Sequence, residues 1–178
     1  MTRRLAFFSA GLALALALGW LGFPRLLFAR AEQPLRFSPK THASTGFGCA
    51  DCHPIGEDGR FAGVPRVESC AGCHAEPQGS SADEKRLVEE HVTPGREIPW
   101  LVYSRQPENV RFPHAVHVKQ AAIACERCHG AHGESDRLPV HETNRITGYS
   151  RELTKMSDCE SCHAEHFPER TACLACHK

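Results

Sequence analysis

Five copies of the pattern C-x-x-C-H, numbered here first to fifth in chain order, use all ten cysteines of this 178-residue chain. The cysteines are Cys49 and Cys52, Cys70 and Cys73, Cys125 and Cys128, Cys159 and Cys162, and Cys173 and Cys176. The histidines that complete the motifs are His53, His74, His129, His163 and His177. This spacing is the attachment signature of c-type haem, in which two thiols bond one porphyrin edge and the histidine binds the iron as proximal ligand. The pattern predicts five covalently bound haem c groups, and a further haem without such a motif stays open.

Other uses of paired cysteines fit the pattern less well. Disulfides are common in exported proteins, but they do not need a histidine after every second cysteine. Zinc ribbons combine two C-x-x-C units, so five units cannot pair evenly. Thioredoxin-like motifs occur singly on a βαβ unit, for which this sequence has no pattern. Covalent haem attachment at all five motifs is therefore our prediction.

The remaining histidines are candidates for the second axial position of each iron. The candidate distal ligands are His42, His114, His117, His132 and His166, with His91 and His141 as alternates. Methionine is the other common sixth ligand and raises the reduction potential, but Met156 is the only methionine besides the initiator. We therefore expect irons that are mostly ligated by two histidines and that have low reduction potentials.

The segments that hold these motifs are expected to be short. Fourteen glycines and twelve prolines interrupt the chain too often for long regular helices or a large sheet. The clearest helix signal is Ser81-x-x-Glu84, a capping box before residues 85–92, with the stop sequence T-P-G at residues 93–95. We expect a mostly irregular fold with small α-helices, in which porphyrins form the core.

The first part of the chain has the properties of a membrane segment. Residues 5–23 are an apolar run of 19 residues without a charge, close to the roughly 20 residues that cross a bilayer as a helix. The arginines at positions 3 and 4 favour an orientation in which the rest of the chain lies outside the cytoplasm. We expect one N-terminal transmembrane helix, a signal anchor, in residues 1–31 and a periplasmic pentahaem cytochrome c domain in residues 32–178.

The alternative for the N-terminus is a signal peptide that is cleaved at Ala29-Arg30-Ala31, an A-x-A site. Both alternatives export the haem domain. The chain carries 21 basic and 21 acidic residues, so it has no basic surplus. We therefore expect the membrane, and no nucleic acid, among its partners.

The central part of the chain contains the stretch Phe112-x-His114-x-x-His117 followed by the third motif. This arrangement resembles the class III cytochrome c family of compact multihaem proteins. The sequence E-I-P-W-L-V-Y-S-R-Q-P at residues 97–107, which runs into this stretch, is similar to the multihaem cytochrome c subunits of menaquinone reductase complexes and to the pentahaem subunits of alternative complex III. The class III resemblance implies that His114 ligates the haem of the third motif and that His117 ligates a different haem.

An internal repeat relates this stretch to an earlier one. Residues 37–42 precede the first motif as residues 112–117 precede the third, at an offset of 75 residues. Pro39 occupies the place of His114, and proline has no side-chain donor atom. The first haem must then use His42 unusually, borrow a distant histidine such as His91, or stay five-coordinate. We expect this haem to differ from the others in ligation or spin state.

What the resemblance implies is an electron-transfer subunit. Such cytochromes lie beside subunits related to molybdopterin oxidoreductases, iron–sulfur proteins and a polytopic quinone-binding membrane protein. The menaquinone reductase type receives electrons from periplasmic multihaem cytochromes. We therefore expect a membrane-anchored cytochrome that relays electrons into a menaquinone-reducing complex, and that is not a catalyst alone.

Two other functions stay open. A quinol dehydrogenase anchored by a single helix would place its first haem close to the membrane, whereas 25 residues separate Phe23 from Cys49 here. A multihaem reductase of nitrite or hydroxylamine would need an iron with an open coordination position, and spare histidines are plentiful. A purely structural haem scaffold is the least favoured alternative.

Overall fold

Short helices joined by turns make up most of the computed structural model, which describes residues 2–151 and 154–177. The ends of the two predicted segments, Met1 and Lys178, lie outside the described residues. The α-helices after the N-terminal segment are Pro39–Ser44, Cys49–Cys52, Val67–Ala71, Ala82–Arg86, Glu126–His129, Met156–His166 and Cys173–Cys176. Wide π-type turns cover Leu87–Val92 and Ala115–Gln120, and 3₁₀ turns cover His132–Glu134 and Pro168–Arg170. The prediction of a mostly irregular fold with small helices is confirmed.

The N-terminal helix contains a stretch, Arg3–Leu27, that is long and apolar enough to cross a membrane. It consists of Thr2–Ala17, a wide turn at Leu18–Gly22, and Phe23–Leu27. At about 1.5 Å per residue the helix is roughly 37 Å long, somewhat more than the hydrocarbon core of a bilayer. Its most apolar stretch is not buried by any other part of the described chain. A helix with this composition and exposure fits a membrane anchor.

A two-stranded antiparallel sheet follows this helix directly, a feature that the sequence did not reveal. Strand β1 is Phe28–Ala31 and strand β2 is His141–Asn144, with Arg30 opposite Glu142. The Arg30 guanidinium lies 3.2 Å from the Glu142 carboxylate, and the backbone N–H of Arg145 donates to the carbonyl of Leu27 at 2.8 Å. The sheet therefore fastens the end of the N-terminal helix to the globular part.

Four of the C-x-x-C-H motifs lie on short helical turns, and the fourth motif lies within the longer helix Met156–His166. The backbone N–H of the motif histidine donates to the carbonyl of the first cysteine at 2.9–3.0 Å in the first, second, third and fifth motifs. Residues three and four positions apart lie on the same side of a helix. The turn therefore presents both thiols and the imidazole toward a common region, as attachment to one porphyrin requires.

Few side chains are buried among the described residues. The buried apolar ones are Leu35, Val67, Val88 and Ile98, and the one buried polar side chain is His91. Four apolar side chains are a small core for a domain of this length. The expectation that something other than apolar side chains fills the interior agrees with this packing.

The helix predicted from Ser81-x-x-Glu84 begins at Ala82, and the wide turn Leu87–Val92 continues it. The Ser81 hydroxyl accepts a hydrogen bond from the backbone N–H of Glu84 at 3.0 Å, as an N-cap residue does. The reciprocal half of the capping box is not formed, because the Glu84 carboxylate contacts His74. Gly95, with φ of +63°, ends the segment as the stop sequence predicts.

Candidate haem-binding site

All ten cysteines lie in the described residues, carry free thiols, and are at least partly exposed. Partial burial raises the pKa of the Cys52 thiol and of the Cys70 thiol, so both stay protonated near neutral pH. No disulfide competes for the ten sulfur atoms. Every motif can therefore offer two accessible thiols for thioether bonds.

Three proximal histidines each face a second histidine ring. The ring centroids of His114 and His129 are 6.2 Å apart, and the rings are inclined by 10°. The rings of His42 and His74 are 6.1 Å apart at 40°, and those of His117 and His163 are 6.2 Å apart at 35°. The second, third and fourth motifs thus each have a partner imidazole from outside the motif.

These separations have the size that one shared iron requires. A metal–nitrogen bond to histidine is about 2 Å long and the ring centroid lies about 1 Å beyond the nitrogen, so two imidazoles on opposite sides of one iron have centroids about 6 Å apart. Van der Waals stacking of two rings would bring the centroids closer, as in the 4.3 Å pair of Phe37 and His42. The residues present at these three motifs fit haem iron.

The internal repeat adopts the same geometry twice. Phe37 stacks on His42 with centroids 4.3 Å apart, and Phe112 stacks on His117 at 4.4 Å. The Nδ1 atoms of these histidines contact the carbonyl four residues earlier, at 2.9 Å for His42 and 3.0 Å for His117. In both copies the last residue, His42 or His117, faces the proximal histidine of a motif other than the one that follows the copy directly. The repeat is therefore a structural unit that supplies an imidazole to a more distant motif.

Backbone carbonyls orient several of the other imidazoles. Nδ1 of His53 donates to the carbonyl of Gly63 at 2.7 Å, and Nδ1 of His114 donates to the carbonyl of Arg60 at 2.7 Å. A hydrogen bond at Nδ1 fixes the tautomer whose Nε2 carries the free lone pair. These histidines are therefore prepared to bind a metal through Nε2.

The proximal histidine of the third motif is held in its neutral form. Burial lowers the pKa of His129, and the neighbouring His114 and His132 lower it further. Only neutral imidazole can ligate a metal through a ring nitrogen. His129 is thus available for ligation at neutral pH.

The remaining histidines occupy different environments. His91 is buried, with 7% exposure, and its Nδ1 contacts the carbonyl of Arg96 at 3.2 Å. His132 packs edge-on against Tyr103 at 6.1 Å. The Nε2 atom of His141 contacts the Thr143 hydroxyl, and its buried Nδ1 has no hydrogen-bond partner within residues 2–151 and 154–177.

His166 lies at the end of the helix Met156–His166, with 57% of its side chain exposed. Within residues 2–151 and 154–177, neither the first nor the fifth proximal histidine faces a second histidine ring, in contrast to the other three. The paired histidines His42, His114 and His117 all belonged to the predicted distal set. His132 and His166 were predicted with them and are not brought opposite a proximal ring in this part of the chain.

Thiols of different motifs lie near one another in a continuous series. Burial is the largest cause that raises the pKa of Cys70, Cys49, Cys128 and Cys159, and in each case a thiol of another motif raises it further. The neighbouring pairs are Cys52 and Cys70, Cys49 and Cys125, Cys128 and Cys162, and Cys159 and Cys176. These pairs link the second motif to the first, the first to the third, the third to the fourth and the fourth to the fifth.

The segment at residues 97–100 packs around the second motif, a role that its sequence alone did not reveal. The Glu97 carboxylate accepts a hydrogen bond from the backbone N–H of Val67 at the start of the second motif's helix. The ring centroids of Trp100 and Phe37 are 6.4 Å apart, and the Phe37 ring stacks on His42. The Nε1–H donor of Trp100 is buried without a protein acceptor among the described residues. A buried donor of this kind fits a carboxylate such as a haem propionate.

A chain with five attachment motifs and facing histidine pairs is a multihaem c-type cytochrome. The family model of cytochrome c3 matches residues 41–142, and the chain belongs to the cytochrome c3 family. It is 42% identical over 186 residues to the menaquinone reductase, multiheme cytochrome c subunit, of Nitratidesulfovibrio vulgaris (strain Hildenborough), an alignment that covers 96% of this chain and 89% of that protein. The resemblance expected from the E-I-P-W segment and from F-x-H-x-x-H is thereby confirmed, and the family implies covalently bound haem c.

Proposed function

We propose that this chain is the electron-relaying cytochrome subunit of a menaquinone-reducing membrane complex and carries five haem c groups. The observation that carries the proposal is the set of three histidine pairs at 6.1–6.2 Å. An iron held by two histidines has no open position for a substrate, and it passes single electrons between its ferric and ferrous states. This arrangement favours electron relay over reduction of nitrite or hydroxylamine.

The axial ligands are part of the proposal. His42 serves the second motif, His114 the third and His117 the fourth, each opposite the proximal ring that it faces. For the first motif we propose His91, whose buried ring is anchored at Nδ1 and whose wide turn packs against the second motif's helix. The thiols of the second motif adjoin those of the first, so His91 lies in the same part of the molecule.

The continuous series of motifs supports a relay. Contacts besides the thiols join neighbouring motifs: the Thr154 hydroxyl, just before the fourth motif, donates to the carbonyl of Cys128 at 3.3 Å. The backbone N–H of Arg111, close to the repeat that bears His114 and His117, donates to the carbonyl of Cys176 at 2.7 Å. Such a series is what a protein needs to accept an electron at one end and release it at the other.

We further propose that the N-terminal helix is retained as a single-pass anchor and that the haem domain, residues 32–178, lies on the periplasmic side. The alternative cleavage site Ala29-Arg30-Ala31 lies within strand β1. Cleavage there would remove β1 and its ion pair from Arg30 to Glu142. Mass analysis of the N-terminus tests retention, since a mature chain that begins at Glu32 would contradict it.

The proposed partners follow from the family resemblance. They are a subunit related to molybdopterin oxidoreductases, an iron–sulfur subunit, a polytopic quinone-binding subunit, and a periplasmic multihaem cytochrome as electron donor. Purification from native membranes through a tag on this chain alone, followed by mass spectrometry, tests the assembly. We expect these subunits to co-elute. Recovery of the chain alone, with quinol dehydrogenase activity, would support the single-helix quinol dehydrogenase instead.

A further inference from the structure

The proximal histidine of the second motif has a charged hydrogen-bond acceptor. Nδ1 of His74 donates to Oε1 of Glu84 at 2.5 Å, and each side chain is only 17% exposed. The corresponding Nδ1 atoms of His53 and His163 contact backbone carbonyls, of Gly63 and Arg170. The second motif therefore differs from the first and the fourth in the charge that faces its proximal imidazole.

The local fold holds the Glu84 carboxylate in this position. The backbone N–H of Glu84 donates to the Ser81 hydroxyl at 3.0 Å, which fixes the start of the helix. Oε1 of Glu84 also accepts a hydrogen bond from the backbone N–H of Gln78 at 3.1 Å. A glutamate at this position of a capping box ordinarily turns back to the N-cap residue. Here it is directed to His74 and is held there by a second donor.

We infer that Glu84 is a positioning residue that lowers the reduction potential of the haem held by the second motif. A carboxylate that accepts the Nδ1 proton makes a ligated imidazole more basic. A more basic ligand and a nearby negative charge both favour the ferric over the ferrous iron. Hydrogen bonding around the ligand is one of the means by which proteins set haem potential. The inference rests on the proposed function, because it needs haem between His42 and His74.

The test is the substitution Glu84→Gln in the full membrane-extracted protein. Glutamine keeps the length of the side chain and an oxygen acceptor but removes the charge. The matched control is Glu90→Gln, which removes one charge from the same helical segment, where Glu90 pairs with Arg86 at 3.6 Å. Potentiometric titration followed by electron paramagnetic resonance gives the midpoint of each low-spin component. His42→Ala identifies the component of the second motif, since it removes the facing imidazole.

We expect Glu84→Gln to raise the midpoint potential of the low-spin component that belongs to the second motif, while the other components keep midpoints near their wild-type values. Glu90→Gln should leave all midpoints unchanged. Glu84→Asp, which restores the charge on a shorter side chain, should give a smaller rise. An unchanged midpoint, or an equal rise in Glu90→Gln, would overturn the inference and leave the proposed function intact. Loss of the component in Glu84→Gln would also overturn it, because Glu84 would then hold structure and not potential. If His42→Ala removed no component, the proposed ligand pair itself would be wrong.

Discussion

Removal of His114 should convert one haem of the five to a five-coordinate, high-spin state. The His114 ring faces His129 with centroids 6.2 Å apart, so its loss leaves the iron of the third motif with His129 alone. The proposed ligation gives a second histidine to four of the five irons, so one iron corresponds to about a quarter of the low-spin signal. In the substitution His114→Ala we therefore expect that fraction of the low-spin resonance to be replaced by a high-spin resonance.

The variant should remain folded, so that the spectrum reports ligation. His114→Ala removes the hydrogen bond from Nδ1 to the carbonyl of Arg60, at 2.7 Å, which contributes about 1 kcal/mol. For a chain of this size that corresponds to a fall in melting temperature of about 2–4 °C. Circular dichroism on heating checks this shift, and the covalent thioether bonds keep the haem in place.

The control is Lys119→Ala, which removes an exposed side chain from the wide turn that follows His114. It should leave the electron paramagnetic resonance spectrum of the oxidised protein unchanged. The pairing of His114 with His129 is refuted if His114→Ala retains all low-spin intensity. It is also refuted if both variants lose the same amount.

Three further predictions concern the first motif, the backbone and the cofactor. His91→Ala should yield a high-spin component from the haem of the first motif, distinct from the one that His114→Ala produces. An unaltered spectrum would contradict ligation of that haem by His91 and mean that it is five-coordinate or otherwise ligated in the native protein. Gly59→Ala should destabilise the domain by about 1–2 kcal/mol in chemical denaturation, because a side chain at positive φ is strained. The new Cβ would also lie 2.8 Å from that of Ala115. The control Gly79→Ala should be silent, because its Cβ would meet no atom of the described residues within 4 Å. Chain produced in cells that cannot attach haem should show no cooperative unfolding transition by circular dichroism. The reason is the small apolar core, because the buried apolar residues of the described part are Leu35, Val67, Val88 and Ile98. A sharp transition would contradict a haem-filled core.

The attachment motifs could be read from the sequence because their chemistry depends on residue type and short spacing. Three of the five predicted distal histidines, His42, His114 and His117, face proximal rings in the structure. The offset of 75 residues also predicted a repeat, which the structure reproduces at the two phenylalanine–histidine stacks. Pro39 predicted that the first motif lacks a histidine at the place that His114 occupies before the third motif. In the structure His42 faces His74 of the second motif, so it is not directed to the first.

Long-range contacts could not be predicted in the same way. Strand β1 and strand β2 are more than 100 residues apart, and four residues each are too few to show a strand pattern. Glu84 fitted a capping box, and its contact with His74 depends on how the turn at Gln78 folds back. The partner of an imidazole is likewise set by the fold: His114 and His117 lie three positions apart and face different motifs.

Relay of electrons through this subunit is tested most directly in the complex purified from native membranes. The complex is first reduced by a periplasmic multihaem cytochrome, and a soluble menaquinone analogue is then added while the haem absorbance is followed. We expect the haems to become reduced by the donor and to be reoxidised when the quinone is added, with quinol formed in proportion. Haems that stay reduced after quinone addition, or quinol that forms at the same rate when this subunit is absent, would contradict its role as the electron relay.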